Sequence, residues 1–185
     1  MRVEKLQQAY DVDIQTVHFP LHPDTPLCGQ SLEQLFEGRD MDLDAMYESM
    51  KARMDEEGLP YGKRTHTYNS RLAQELGKWA DTQADGGAIH MKLYEAYFVD
   101  GQNIGDVDIL VAIAEGVGLD GAAAREVLEK RTFEAAIDAD WEKSRQYGVT
   151  GVPTYVADAK GVVGAQPYKV LEQLMDSAGA QKKGD

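Results

Sequence analysis

The chain has 185 residues, of which 43% are hydrophobic and 28% charged, and it carries a formal net charge of −13. Those proportions suit a globular chain with one real core, and the acidic excess argues against a nucleic-acid partner, which calls for clustered Lys and Arg. The single cysteine, Cys28, excludes an internal disulfide and a cysteine-based zinc site. Met1 to Leu6 holds no apolar run of the signal-peptide kind, and nowhere does the sequence offer the roughly 20 apolar residues of a membrane span. A cytoplasmic setting, with no membrane and no nucleic acid among its partners, is the resulting expectation.

The helical period starts at once, with Val3, Leu6 and Tyr10. Residues 12–19 are rich in β-branched side chains and predict a strand, after which Pro20, Pro23 and Pro26 enforce an extended loop. The middle reads as helices. Asp42 caps a stripe of Leu43, Met46, Tyr47, Met50 and Met54 that ends at Gly58. Asn69 or Ser70 opens the next helix, with Leu72, Ala73, Leu76, Trp79 and Ala80 inward. Further helices cover 88–99, a segment capped by Asp106, 121–130, and 133–147 with Trp141 inward. The period then changes: 153–157 predicts a strand, 158–161 a turn, and 162–165 a second strand. Pro167 suits the start of a last helix with Val170, Leu171, Leu174 and Met175 on its core face, and 179–185 reads as a frayed, disordered tail.

The candidate functional residues are few. The segment from Gly148 to Tyr155 brings a Val-Pro step into a β-branched, aromatic strand, without any Cys-x-x-Cys elsewhere. Cys28 reads as a semi-buried thiol rather than a nucleophile. His18 and His22 do not share a helix face, and His66 and His90 are isolated, so no metal is expected. Asp40, Asp42 and Asp44 mimic the start of a calcium loop, but Ala45 and Lys51 stand where a glycine and a glutamate are required. Lys63 to His66 reads as a solvated basic loop. The methionines of the 43–54 helix could line a peptide groove, though packing into the core is the simpler expectation.

Taken in order, these passages resemble the DsbA-like thioredoxin family, in its FrnE-like and 2-hydroxychromene-2-carboxylate isomerase-like branch. Leu93 to Ile104 matches that branch's AYF…G.(D/N)I helix end. Asp106 to Leu119 is similar to its next helix, Ala139 to Tyr155 to its last inserted helix and GVP loop, and Gly164 to Pro167 to its GAQ hairpin end. Phe19 to Pro23 extends the likeness, which runs over about residues 2–176. The resemblance implies an α/β thioredoxin-like fold of DsbA type. Residues 1–26 and 148–178 would form the thioredoxin-like part, and 27–147 a large inserted α-helical subdomain. It implies thiol–disulfide exchange with a thiol-containing protein or peptide. Thr150, Gly151, Val152 and Pro153 would be the substrate loop, with Pro153 cis and no cofactor.

Two departures qualify it. The family begins with a strand and a Cys-Pro-Trp-Cys-type turn, whereas this sequence begins part-way along the following helix, so its catalytic cysteines are absent and inactivity is expected. The Ala-His pair of the branch is Ala73-Gln74 here. In the family the first strand lies between those read here as 12–19 and 153–157, so the sheet is expected to be distorted, to borrow a strand from another chain such as a second copy, or to be marginal. The alternatives are a glutathione-dependent isomerase or transferase of the same fold, with glutathione as ligand, and a non-catalytic binding or dimerisation module.

Overall fold

The computed structural model describes residues 2–184, and among these it holds nine α-helices and two separate two-stranded antiparallel sheets. The chain divides into two compact units, residues 22–138 and the two terminal stretches 1–21 and 139–185.

The regular structure of the 22–138 unit is helical apart from one short ladder. A two-residue ladder pairs β1 (Gln30–Ser31) with β2 (His66–Thr67). Ser31 then starts α2 (Leu32–Leu35) with a reciprocal capping box to Gln34. The helix α3 (Leu43–Glu56) is capped by Asp42, whose carboxylate accepts from the Ala45 amide. The core is built by α4 (Arg71–Ala80), α5 (Ile89–Phe98), α6 (Val107–Gly116) and α7 (Gly121–Lys130). Leu76, Ala80, Ile89, Leu110, Ala114 and Ala124 are wholly buried in one cluster. Asp106 and Asp120 each accept two main-chain N–H bonds at the starts of α6 and α7, which relieves the orphan donors of those ends. Gly86 permits the close return after α4: a Cβ there would stand 1.7 Å from the Ala80 carbonyl oxygen.

One charged group is fully enclosed in this core. Glu75 on α4 has no exposed surface, and its carboxylate accepts from Arg71 at 3.0 Å and from Arg131 at 2.6 and 2.9 Å. Arg131 follows α7 in the left-handed region, with φ of 53°. The two guanidiniums satisfy the lone pairs that burial would otherwise leave bare.

The helix α8 (Glu134–Gln146) straddles the division between the units. The terminal unit otherwise comprises α1 (Arg2–Ala9), β3 (Thr154–Ala157), β4 (Lys160–Val163) and α9 (Tyr168–Ser177). Its core is small: Leu6, Tyr10 and Leu171, with Tyr155 and Val162 of the hairpin packed against them. Tyr10 donates to the Asp176 carboxylate at 2.8 Å, and burial with that carboxylate pushes its pKa up to about 12. The hairpin turns through Asp158 and Ala159, both at positive φ.

Four expectations are corrected. Residues 12–19 form no strand, because no ladder partner lies beside them and an unpaired segment cannot make the bonds that define one. The 43–54 methionine stripe is not core: α3 has no buried residue, and Met46 and Met50 are 40% and 42% exposed. The second strand of the hairpin runs from Lys160 to Val163, since a two-residue turn brings pairing forward to Ala157 and Lys160. The segment 179–184 is no frayed tail, for the amides of Asp11 and Lys183 donate to the carbonyls of Gln181 and Ala9, and Lys182 bridges Tyr10; Asp185 lies outside the described residues.

Candidate functional site: the proline loop and its cleft

Helix α8 stops at Gly148, whose φ of 65° suits the left-handed end of a helix. The Val149 amide donates back to Ser144, and the chain turns into Thr150, Gly151, Val152 and Pro153. The Val152–Pro153 peptide bond is cis. The Pro153 carbonyl accepts from the Gly164 amide at 2.7 Å, and the Thr154 hydroxyl donates to the Gly151 carbonyl at 2.6 Å. The first bond, between main-chain atoms, and the second, from the Thr154 side chain, tie the loop to the hairpin. Thr150, Val152 and Pro153 are exposed, and Val152 keeps 52% of its surface.

Beside the loop the terminal unit opens a cleft of about 550 Å³. Asp13, Gln15, Val17 and Phe19 form one wall, with the two-residue period of an extended chain. Val152, Thr154 and Val156 form the other, at the same period, and Lys143, Ser144 and Tyr147 of the α8 end, with Val149, Asp158 and Ala159, complete the lining. Of the four loop residues only Val152 lines this space.

The other sequence candidates do not gather. Cys28 belongs to the 22–138 unit and is exposed, not semi-buried, with its thiol 3.6 Å from the Gly29 carbonyl. The His18 amide donates to Asp140 at 3.2 Å. His66 meets the Thr65 hydroxyl at 2.9 Å and stacks on Tyr68, and His90 meets Asp81 at 2.7 Å. His22 is pulled below the ordinary imidazole range by burial first and then by Arg39 and Arg64. Among the described residues no group of three or more His, Cys, Asp or Glu is disposed to hold a metal.

Two groupings escaped the sequence reading. Arg64 bonds the Tyr97 hydroxyl and lies 4.6 Å and 5.0 Å from the Tyr97 and Phe98 ring centres; only its place in a basic stretch hinted at it. The Glu75 cluster depends on Arg131, far away in sequence, and a buried glutamate has no local signature.

One exposed thiol can attack an outside disulfide, forming a mixed disulfide and releasing the partner's other sulfur as a thiol, but within these residues no second thiol can resolve it. Comparison with known proteins sets the frame. A probable DsbA oxidoreductase from Streptomyces coelicolor superposes with a TM-score of 0.86 at 29% identity, over 96% of this chain and 82% of that one. A 2-hydroxychromene-2-carboxylate isomerase shares the fold with a TM-score of 0.70 at 18% identity, over 96% of this chain and 85% of its own. The uncharacterized protein YwbO of Bacillus subtilis (strain 168) is 34% identical over 122 residues, 64% of this chain and 58% of its own length. The ClpXP adapter protein SpxH of Halalkalibacterium halodurans is 29% identical over 119 residues, 60% of this chain and 39% of its own. The match thus spans about half the length of these curated relatives. The family described as DSBA-like thioredoxin domain matches residues 1–176, and the chain belongs to that family.

Proposed function

We propose that this chain is a protein of the disulfide-exchange class that holds thiol-containing polypeptides at Thr150, Gly151, Val152 and Pro153 but does not turn them over with its own residues. The carrying observation is the loop's geometry. Its exposed edge, rich in free main-chain groups, is fixed from behind by the Gly164 to Pro153 and Thr154 to Gly151 bonds. Membership of the DSBA-like family supports the same reading. Exchange needs one thiolate to attack and a second thiol to resolve the mixed disulfide. This sequence has one cysteine, exposed and in the other compact unit. In this reading 1–26 and 148–178 act as the thioredoxin-like part and 27–147 as the insertion. Reduction of insulin by dithiothreitol should therefore proceed at the same rate with the parent and with Cys28→Ser. A thiol-dependent rate about tenfold above the variant overturns the proposal.

The adapter proteins among the relatives favour a second reading, a non-catalytic binding module. It differs in one outcome: a polypeptide partner that lacks cysteine would be held as well as one that carries it, in oxidising and reducing buffer alike.

A further inference from the structure

The helical unit leaves two arginines without a carboxylate around one imidazole. The sequence carries 32 Asp and Glu against 19 Lys and Arg, so a cation finds a carboxylate easily. Lys51, Lys63, Arg71, Arg125, Lys130 and Arg131 each hold one at 2.5–3.0 Å. Among the described residues Arg39 and Arg64 hold none, although Glu37 and Asp40 flank Arg39 in sequence. The fold draws both towards His22. The Leu32 amide donates to the Thr65 carbonyl at 2.9 Å, which sets the start of α2 beside Arg64. A tight turn follows α2, with the Arg39 amide donating to the Phe36 carbonyl at 3.0 Å. Each guanidinium lies over aromatic rings: Arg39 is 6.0 Å from the Phe36 ring centre, and Arg64 is 4.6 Å and 5.0 Å from those of Tyr97 and Phe98. Burial first, and then Arg39 and Arg64, lower the His22 pKa, so the three groups share one neighbourhood.

We infer that His22, Arg39 and Arg64 form a binding site for a phosphate monoester. A guanidinium on a ring face keeps its N–H edge open. Arg64 gives one N–H to the Tyr97 hydroxyl, and its others have no partner among the described residues. Two such forks and an imidazole offer more positive charge and more donors than one carboxylate takes up. A phosphate monoester carries a charge of about −1.5 to −2 at neutral pH and accepts paired N–H bonds through its oxygens. Arg64 is half-buried, where a missing counter-charge costs more than at an open surface. The rings beneath hold both guanidiniums in place beforehand, which lowers the ordering cost of binding. The site needs no thiol, so it stands or falls apart from the disulfide-exchange reading.

The test is a titration of the full chain with inorganic phosphate, a blocked phosphoserine tripeptide, adenosine monophosphate and acetate. Binding is read by calorimetry and by the ring-proton NMR signals of His22, which His22→Gln identifies. Phosphate should bind about tenfold more tightly than acetate and move the His22 signals. Arg39→Gln and Arg64→Gln should each weaken phosphate about tenfold. Arg53→Gln removes the same charge from α3, from a residue that does not act on His22, and should leave binding unchanged. Arg39 is exposed, so its variant carries the test if loss of Arg64 disturbs the Tyr97 packing. A tighter hold on the phosphopeptide or on the nucleotide than on inorganic phosphate names the source of the ester and supports the inference either way. Equal weakening by all three arginine variants overturns it, as a general attraction of anions to positive charge. So do acetate binding as tight as phosphate, absence of binding, and binding that leaves the His22 signals in place.

Discussion

The two compact units satisfy the same physical demands by different means. The 22–138 unit meets its main-chain bonding within helices and with local caps, and buries a continuous cluster from Leu72 to Leu128. The terminal unit relies on extended chain, which must find its partners across space. It has a core of Leu6, Tyr10 and Leu171, and leaves Val152, Val156 and Val163 exposed by 52%, 43% and 55%. A helix closes its ladder alone, whereas a strand closes it only beside another strand. The contrast leaves the helical unit closed around its own core and the terminal unit with apolar side chains still exposed.

The sharpest way to break this comparison is through the buried charge. Glu75→Ala removes the buried carboxylate shared by Arg71, which keeps Asp138, and by the part-exposed Arg131, and should cost about 3 kcal/mol, read from urea unfolding followed by tryptophan fluorescence. A cost below about 1 kcal/mol would mean that the helical unit tolerates charge and is less tightly closed than described.

A paired truncation sharpens it next. Leu110→Ala removes a wholly buried side chain from the helical core and should cost about 2–5 kcal/mol. Val156→Ala removes a valine that is 43% exposed and should change thermal stability by no more than about 0.5 kcal/mol. Equal costs would erase the distinction between the units.

The smallest effect lies inside the terminal core. Tyr10→Phe loses the 2.8 Å bond to Asp176 and should cost about 1 kcal/mol at neutral pH. The pH dependence has a definite sign. The folded pKa is raised from 10.0 to about 12, so the neutral phenol is favoured by folding. Its contribution is fully present below pH 10 and is lost as pH climbs towards 12. Denaturation midpoints across that window should fall more steeply for the parent than for Tyr10→Phe; parallel curves would show that the phenol is not enclosed.

Much of the helical architecture was legible because its signals are local. Asp42, Asp106 and Asp120 sit where caps are needed, and the apolar stripe from Leu72 to Ala80 repeats at the helical period. The family resemblance was legible for the same reason, being carried by contiguous passages, among them the loop from Gly148 to Tyr155. Three things were not. The burial of the 43–54 stripe failed because periodicity shows that a helix has an apolar face, not what that face meets. The strand at 12–19 failed because β-branched residues favour an extended chain but supply no partner. Cys28 was misjudged because the exposure of a loop residue depends on segments remote in sequence.

The sequence alone determined where the helices start and stop, the family, and the presence of a single thiol, since capping, periodicity and composition act over a few residues. The tertiary structure decided the rest: that Glu75 is enclosed between two arginines, that 181–183 ties back to 9–11, and that two extended edges face a common cleft. Each of these depends on residues brought together from distant parts of the chain, where burial and unsatisfied hydrogen bonding, rather than local propensity, set the free energy.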